Sequence, residues 1–172
     1  MKITFIRHGA TASNREARYL GWADESLSVE GEDQIRHQWS KAPEAEMVFC
    51  SPMKRCLETA QLIYGTRELI EIPEWKEMNF GKFEGKNYIE LNGDPDYQAW
   101  IDSGGTLAFP EGESREEFIA RTMKGFAECM KMCEKRGAQN ITCVVHGGTI
   151  MAILSSLTGE EYFKFQIKNG HS

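Results

Sequence analysis

The chain has 172 residues, 41% of them hydrophobic and 27% charged, with 16 Gly, 5 Pro and a formal net charge of −6. That much apolar material supports one domain with a packed core and excludes a disordered chain; the acidic balance, without a Lys/Arg stripe, excludes a nucleic-acid binder that grips phosphate with a broad basic surface. Five cysteines (Cys50, Cys56, Cys129, Cys133, Cys143), an odd number with no Cys-x-x-Cys pair, point to free thiols in a reducing cytoplasm.

In chain order, residues 2–6 are rich in β-branched and aromatic types and predict a buried strand. The apolar run turns polar at Arg7, too short for a signal-peptide core or a membrane span, so a cytoplasmic protein without a membrane partner is expected. Ser28 is a good N-cap for a helix to about Lys41. Residues 47–50 form a short strand-type run, after which Ser51 as N-cap and Pro52 in the first turn predict a helix ending at Gly65. Residues 69–72 predict a strand stopped by Pro73. The stretch 86–112 is irregular, with short helical pieces at 88–91 and 97–101. Ser114 and Glu117 make a capping box for a helix to about Arg136. Residues 141–145 are the clearest strand, followed by a helix over 148–157.

Strands alternating with helices predict an α/β fold, a mostly parallel sheet covered on both faces. Sites in such sheets form beyond the carboxyl ends of the strands. Three strands here end in polar residues: Arg7-His8-Gly9, Ser51 with Arg55 behind it, and His146-Gly147-Gly148. Singly, His8 reads as a surface imidazole, His146 as a helix cap and Arg55 as a solvated helix residue. Together, two histidines and two arginines at one sheet edge suit phosphoryl transfer. A neutral imidazole is a nucleophile, and guanidinium forks bind phosphate oxygens bidentately without losing charge. No metal-ligand spacing is visible, so neither a metal nor another cofactor is called for.

Several blocks, in order, carry a resemblance: residues 4–14 (TFIRHGATASN), 21–24 (GWAD), 27–31 (LSVEG), 51–60 (SPMKRCLETA), 77–85 (EMNFGKFEG) and 145–148 (VHGG). The chain resembles the histidine phosphatase superfamily, which includes cofactor-dependent phosphoglycerate mutases. The resemblance implies a three-layer α/β/α, phosphoglycerate mutase-like fold, a single domain over 1–172 with a short cap at about 86–113, and a phosphomonoesterase working through phosphohistidine. It implies His8 as nucleophile, Arg7, Arg55 and His146 around the phosphoryl group, Asn14 and Gly147 as further binding residues, and Glu77 as proton donor. Glu84, in a similar turn-like stretch, is the rival for that last role.

The segment 86–113 has Lys86 as its only base against six acidic residues, which favours a hydrolase over a mutase with its clamped, multiply charged substrate. Residues 99–100 and 109–114 are similar to the α-ribazole phosphatase branch, which places α-ribazole 5'-phosphate first among candidate small phosphate esters. A broad-specificity phosphatase or mutase-type transfer is the alternative. Tyr97, Trp100 and Phe109 either contact an apolar leaving group or pack the cap on the core. A monomer or homodimer is expected, with residues 161–168 near a sheet edge. His37 reads as a helix-surface residue and His171 as a tail residue.

Overall fold

The computed structural model describes residues 1–172. Strands β1 (Lys2–Arg7), β2 (Met47–Cys50), β3 (Leu69–Glu71) and β4 (Asn140–Val145) form one parallel sheet in the order β1-β4-β2-β3. The helices are α1 (Ala12–Arg15), α2 (Val29–Gln38), α3 (Lys54–Tyr64), α4 (Pro95–Asp102), α5 (Arg115–Arg136) and α6 (Gly147–Thr158).

Successive strand side chains point to opposite faces, and the two cores follow that period. Ile141, Cys143 and Val145 of β4 join Met47 and Phe49 of β2 in a core with Trp75, α5 and α6. Val144 faces the other way, with Ile6, Cys50, Ile35 of α2 and Cys56, Ala60 and Ile63 of α3. The result is a three-layer α/β/α fold. β4, paired on both edges and covered on both faces, needs the unbroken apolar run that its sequence has. A fully buried side chain such as Phe49 or Ile141 contributes about 1.5–3 kcal/mol relative to exposure. All five cysteines are free and buried in these layers.

Two helix starts follow the sequence. Ser28 Oγ accepts from Gly31 N at 3.0 Å, and Ser114 with Glu117 makes the reciprocal capping box. The third does not: α3 begins at Lys54 with Met53 at the N-cap and no cap from its own side chain. Asp24, thirty residues earlier, accepts from Lys54 N at 2.8 Å instead. Ser51 Oγ is turned to His146 Nε2, 2.8 Å away, a tertiary contact that local capping rules cannot foresee.

The piece at 88–91 is a hydrogen-bonded turn rather than a helix, and α4 follows Asp94, whose side chain caps it. A third apolar cluster (Met78, Phe83, Leu91, Phe109, Phe118, Ala152) seats this cap segment on the sheet domain. Residues 161–168 do not extend the sheet: Tyr162–Phe165 form a 3-10 turn packed against α6. The following residues return to the end of β1, where Arg7 N donates to His171 O and Gly170 N to Arg7 O, both at 3.0 Å.

Candidate active site

Because β4 lies between β1 and β2, the ends of all three strands are adjacent. His8 N donates to Val145 O at 2.9 Å and Ser51 N to Val144 O at 3.1 Å, so His8, His146 and Ser51 share one edge. The two imidazoles are 5.2 Å apart between centroids, inclined at 67°. His8 Nδ1 lies 2.7 Å from Gly9 O, and a carbonyl only accepts, so Nδ1 carries the hydrogen. The lone pair of a neutral His8 is therefore on Nε2. Thr59 braces this turn by accepting from Gly9 N at 3.0 Å while donating to Arg55 O at 2.6 Å.

Arg55 is fully buried on the inner face of the first turn of α3. Its Nη1 and Nη2 donate to Ala23 O (3.0 Å) and Gly21 O (2.8 Å). Arg7 Nη1 donates to Ile167 O at 2.6 Å. The Nε–H groups of both arginines are buried without a protein partner, donor capacity that an anion would satisfy. Gly147 follows His146 at the start of α6, and a Cβ there would lie 3.4 Å from Arg7 Cζ, so the backbone runs along the guanidinium. Asn14 Oδ1 is engaged by Thr11 N (3.3 Å) and by Asn169 Nδ2 (3.1 Å), while its own Nδ2 donates to no protein group.

Glu77 and Glu84 have separate settings. Glu84 accepts from three backbone N–H groups, Gly21 (3.0 Å), Trp22 (2.8 Å) and Phe80 (3.2 Å), and so knits two loops together. Glu77 accepts from Met78 N (2.9 Å) and Gly148 N (3.4 Å) and lines the main cavity. Glu77, unlike Glu84, lines the cavity and lies within electrostatic reach of Arg7 and Arg55.

Burial dominates the electrostatics. Desolvation, then the positive charges of Arg55 and Arg7, hold His8 well below the usual imidazole value, although its bond to Gly9 O opposes this. His146 is lowered well below it too, by desolvation first and then by Arg55, His8 and Arg7. Glu77 is raised by desolvation, against the pull of its backbone donors and the two arginines. Both imidazoles are thus held neutral, and Glu77 holds its proton to higher pH than an ordinary carboxyl.

The cavity measures about 730 Å³ and runs from Arg7, Glu77 and Gly148 out to Leu107, Arg115 and Phe163. Tyr19, Phe80, Trp100 and Phe109 form an aromatic wall, with Trp100 and Phe109 stacked at 4.9 Å and Tyr97 stacked behind Trp100 at 6.3 Å. The cap aromatics therefore pack on one another, and two of the three also face the cavity. Sequence reasoning missed Tyr19, Thr59, Arg115, Arg121, Tyr162 and Asn169. Thr59 had a signal, one helical turn after Arg55, whereas the others come together only through tertiary packing. His37 is exposed on α2, and His171 joins the site edge only through its backbone. No three His, Cys, Asp or Glu side chains gather as a metal cluster, and no helix is long and apolar enough to cross a membrane.

This arrangement of two histidines and two arginines past the ends of parallel strands, with a buried carboxyl within electrostatic reach of the arginines, matches a known family. The profile of the histidine phosphatase superfamily (branch 1) matches residues 3–171, and the chain belongs to that family. It is 29% identical over 179 residues to the adenosylcobalamin/alpha-ribazole phosphatase of Escherichia coli (strain K12), covering 99% of this chain and 87% of the relative. The metal-independent phosphoserine phosphatase of Arabidopsis thaliana is 30% identical over 166 residues, 91% of this chain and 68% of that protein. The crystal structure of the alpha-ribazole phosphatase from Shigella flexneri superimposes with a TM-score of 0.86 at 27% identity, covering 99% of this chain and 87% of that one. The activity class is the superfamily's phosphohistidine-based phosphomonoester chemistry.

Proposed function

We propose that residues 1–172 act as one histidine phosphatase domain that hydrolyses small phosphate monoesters through His8. The observation that carries this reading is the His8 Nδ1 to Gly9 O bond, which points the Nε2 lone pair away from its own backbone. Nε2 attacks phosphorus, and the bond from phosphorus to the ester oxygen breaks. Glu77 gives its proton to the leaving oxygen. Water then attacks phosphohistidine, Glu77 takes the proton back, inorganic phosphate forms and His8 is regenerated. Arg7, Arg55, His146, Asn14 and the Gly147 backbone hold the phosphoryl oxygens, whose growing negative charge preorganised donors stabilise.

The aromatic wall supports a flat, largely apolar leaving group. Among small esters α-ribazole 5'-phosphate comes first on that ground. A second reading rests on Arg115 and Lys168, two cations that line the cavity without a carboxylate partner. They favour an acidic leaving group such as that of phosphoserine or a phosphoglycerate, and leave mutase-type transfer as the competing outcome. Comparing kcat/KM across these esters, with chelator present, ranks them. Acid-labile ³²P on the protein, absent from His8→Asn, tests the intermediate. Activity that requires added divalent metal would overturn the mechanism.

A further inference from the structure

Arg121, on α5, belongs to none of the motifs at the strand ends, yet its guanidinium is the most connected polar group near Glu77. Nη1 donates to the carbonyls of Glu74 (2.7 Å) and Lys76 (2.8 Å), and Nη2 to the carbonyl of Glu77 itself (3.0 Å). Nε and Nη2 also form a two-point pair with Glu113, 2.7 Å at each contact. The ion pair is mostly sheltered, with side-chain exposures of 22% and 15%. Glu113 in turn accepts from Asn79 N at 2.8 Å. The segment 74–79 is thus gripped on both sides of Glu77. The ring of Phe118 lies under the guanidinium at 5.0 Å and limits its tilt.

The grip acts on backbone, which matters for a carboxyl in a loop. Residues 76–80 have no helix or strand ladder to define their path. Glu77 O has two donors, Arg121 Nη2 and Trp22 Nε1, each at 3.0 Å, and neither touches the carboxyl group. The carboxyl is held by the backbone of Met78 and Gly148. Position is therefore set from the carbonyl side and orientation from the carboxyl side.

From this geometry we infer that Arg121, with Glu113, is a positioning residue that holds the Glu77 segment at the distance where its proton reaches the leaving oxygen. The inference rests on Glu77 being the proton donor. Arginine is needed rather than lysine, because three carbonyls and a carboxylate require a planar fork with several fixed donors.

The role predicts a signature that simple loosening of the fold lacks. A leaving group that departs as a stable anion needs little proton help, whereas an alkoxide needs it fully. We would measure kcat/KM, which reports the step up to phosphoenzyme formation, for aryl and alkyl phosphates of graded leaving-group pKa. For Arg121→Lys the expected loss is roughly 10–100-fold on alkyl esters and under about 3-fold on 2,4-dinitrophenyl phosphate, steepening the dependence on leaving-group pKa. Glu113→Gln keeps an acceptor for Asn79 N and should steepen it less; it decides the matter should Arg121→Lys not fold. A uniform loss across all leaving groups, or none, overturns the inference. Glu77→Gln is the control: if it too fails to steepen the dependence, the assignment of Glu77 as donor is what has failed.

Discussion

Glu77 and Gly148 approach so closely that no side chain fits between them. Gly148 N donates to Glu77 Oε2 at 3.4 Å, and a Cβ on residue 148 would lie 2.4 Å from Oε1 and 3.2 Å from Phe118 Cζ. Gly148→Ala should therefore push the carboxyl out of place while suiting helix α6. A misplacement of about 1 Å costs up to ~10²-fold in rate. The expected result is at least a tenfold fall in kcat/KM on alkyl phosphates with the melting temperature nearly unchanged. Wild-type kinetics in that variant would mean Glu77 has no such positional demand.

The pH profile of kcat/KM follows from the same burial. His8 must be neutral to attack, and its depressed value puts the acidic limb below pH 6.5. Glu77 must be protonated to act as acid, so activity falls as pH rises through its raised value, above 4.5. Glu77→Gln should remove this alkaline limb and lower the plateau by roughly 10²–10⁴-fold on alkyl esters. Profiles of the two proteins on one substrate check it.

Stability should also fall on the acid side. An unfolded chain protonates its histidines below about pH 6.5, whereas the fold keeps His8 and His146 neutral, so the unfolded state binds more protons there. Glu77 works oppositely. Its contribution is complete below pH 4.5 and is lost as pH rises through its raised value. Two imidazoles against one carboxyl leave a net loss of about 1–2 kcal/mol between pH 6.5 and 5.5. Urea melts in phosphate-free buffer measure this, and His8→Asn should remove about half of the histidine part.

Trp100 separates two kinds of substrate. Its indole is stacked between Tyr97 and Phe109 and faces the cavity. Trp100→Leu should raise KM for aromatic esters about 2–10-fold, the worth of one aromatic pair, and leave small alkyl phosphates nearly unaffected. Equal effects on both would remove the aromatic subsite from the account.

Arg115 tests the alternative leaving group. Nη2 is tied to Gly105 O at 2.6 Å, and the guanidinium sits 5.7 and 5.4 Å from the rings of Tyr162 and Phe163. Arg115→Met should weaken phosphoserine at least several-fold relative to a neutral ester of similar size. Should both fall alike, the residue supports the wall and reads no charge.

Elements with strong local signals were legible in the chain itself. The apolar period of 141–145, the capping box at Ser114 and the N-cap at Ser28 are properties of neighbouring residues, and each is found where those properties put it. His8 and His146 were legible as candidates because each directly follows a strand, and Arg55 because it stands in the first turn of the helix just behind one; parallel pairing aligns those strand ends. The start of α3 was not, since Asp24 reaches it across thirty residues and Ser51 is claimed by His146.

By itself, then, the order of residues predicts the four strands and the longer helices and puts His8 and His146 at the sheet's edge, because those depend on spacing along the backbone; it does not fix the turn at 88–91 or the start of α3. Only the folded chain separates the settings of Glu77 and Glu84, brings Tyr19 and Arg115 to the cavity, and sets Arg121 on the carbonyls of 74–77. Those assignments depend on which loop carbonyls and amides lie within about 3 Å of a given side chain, a distance that separation along the chain does not constrain.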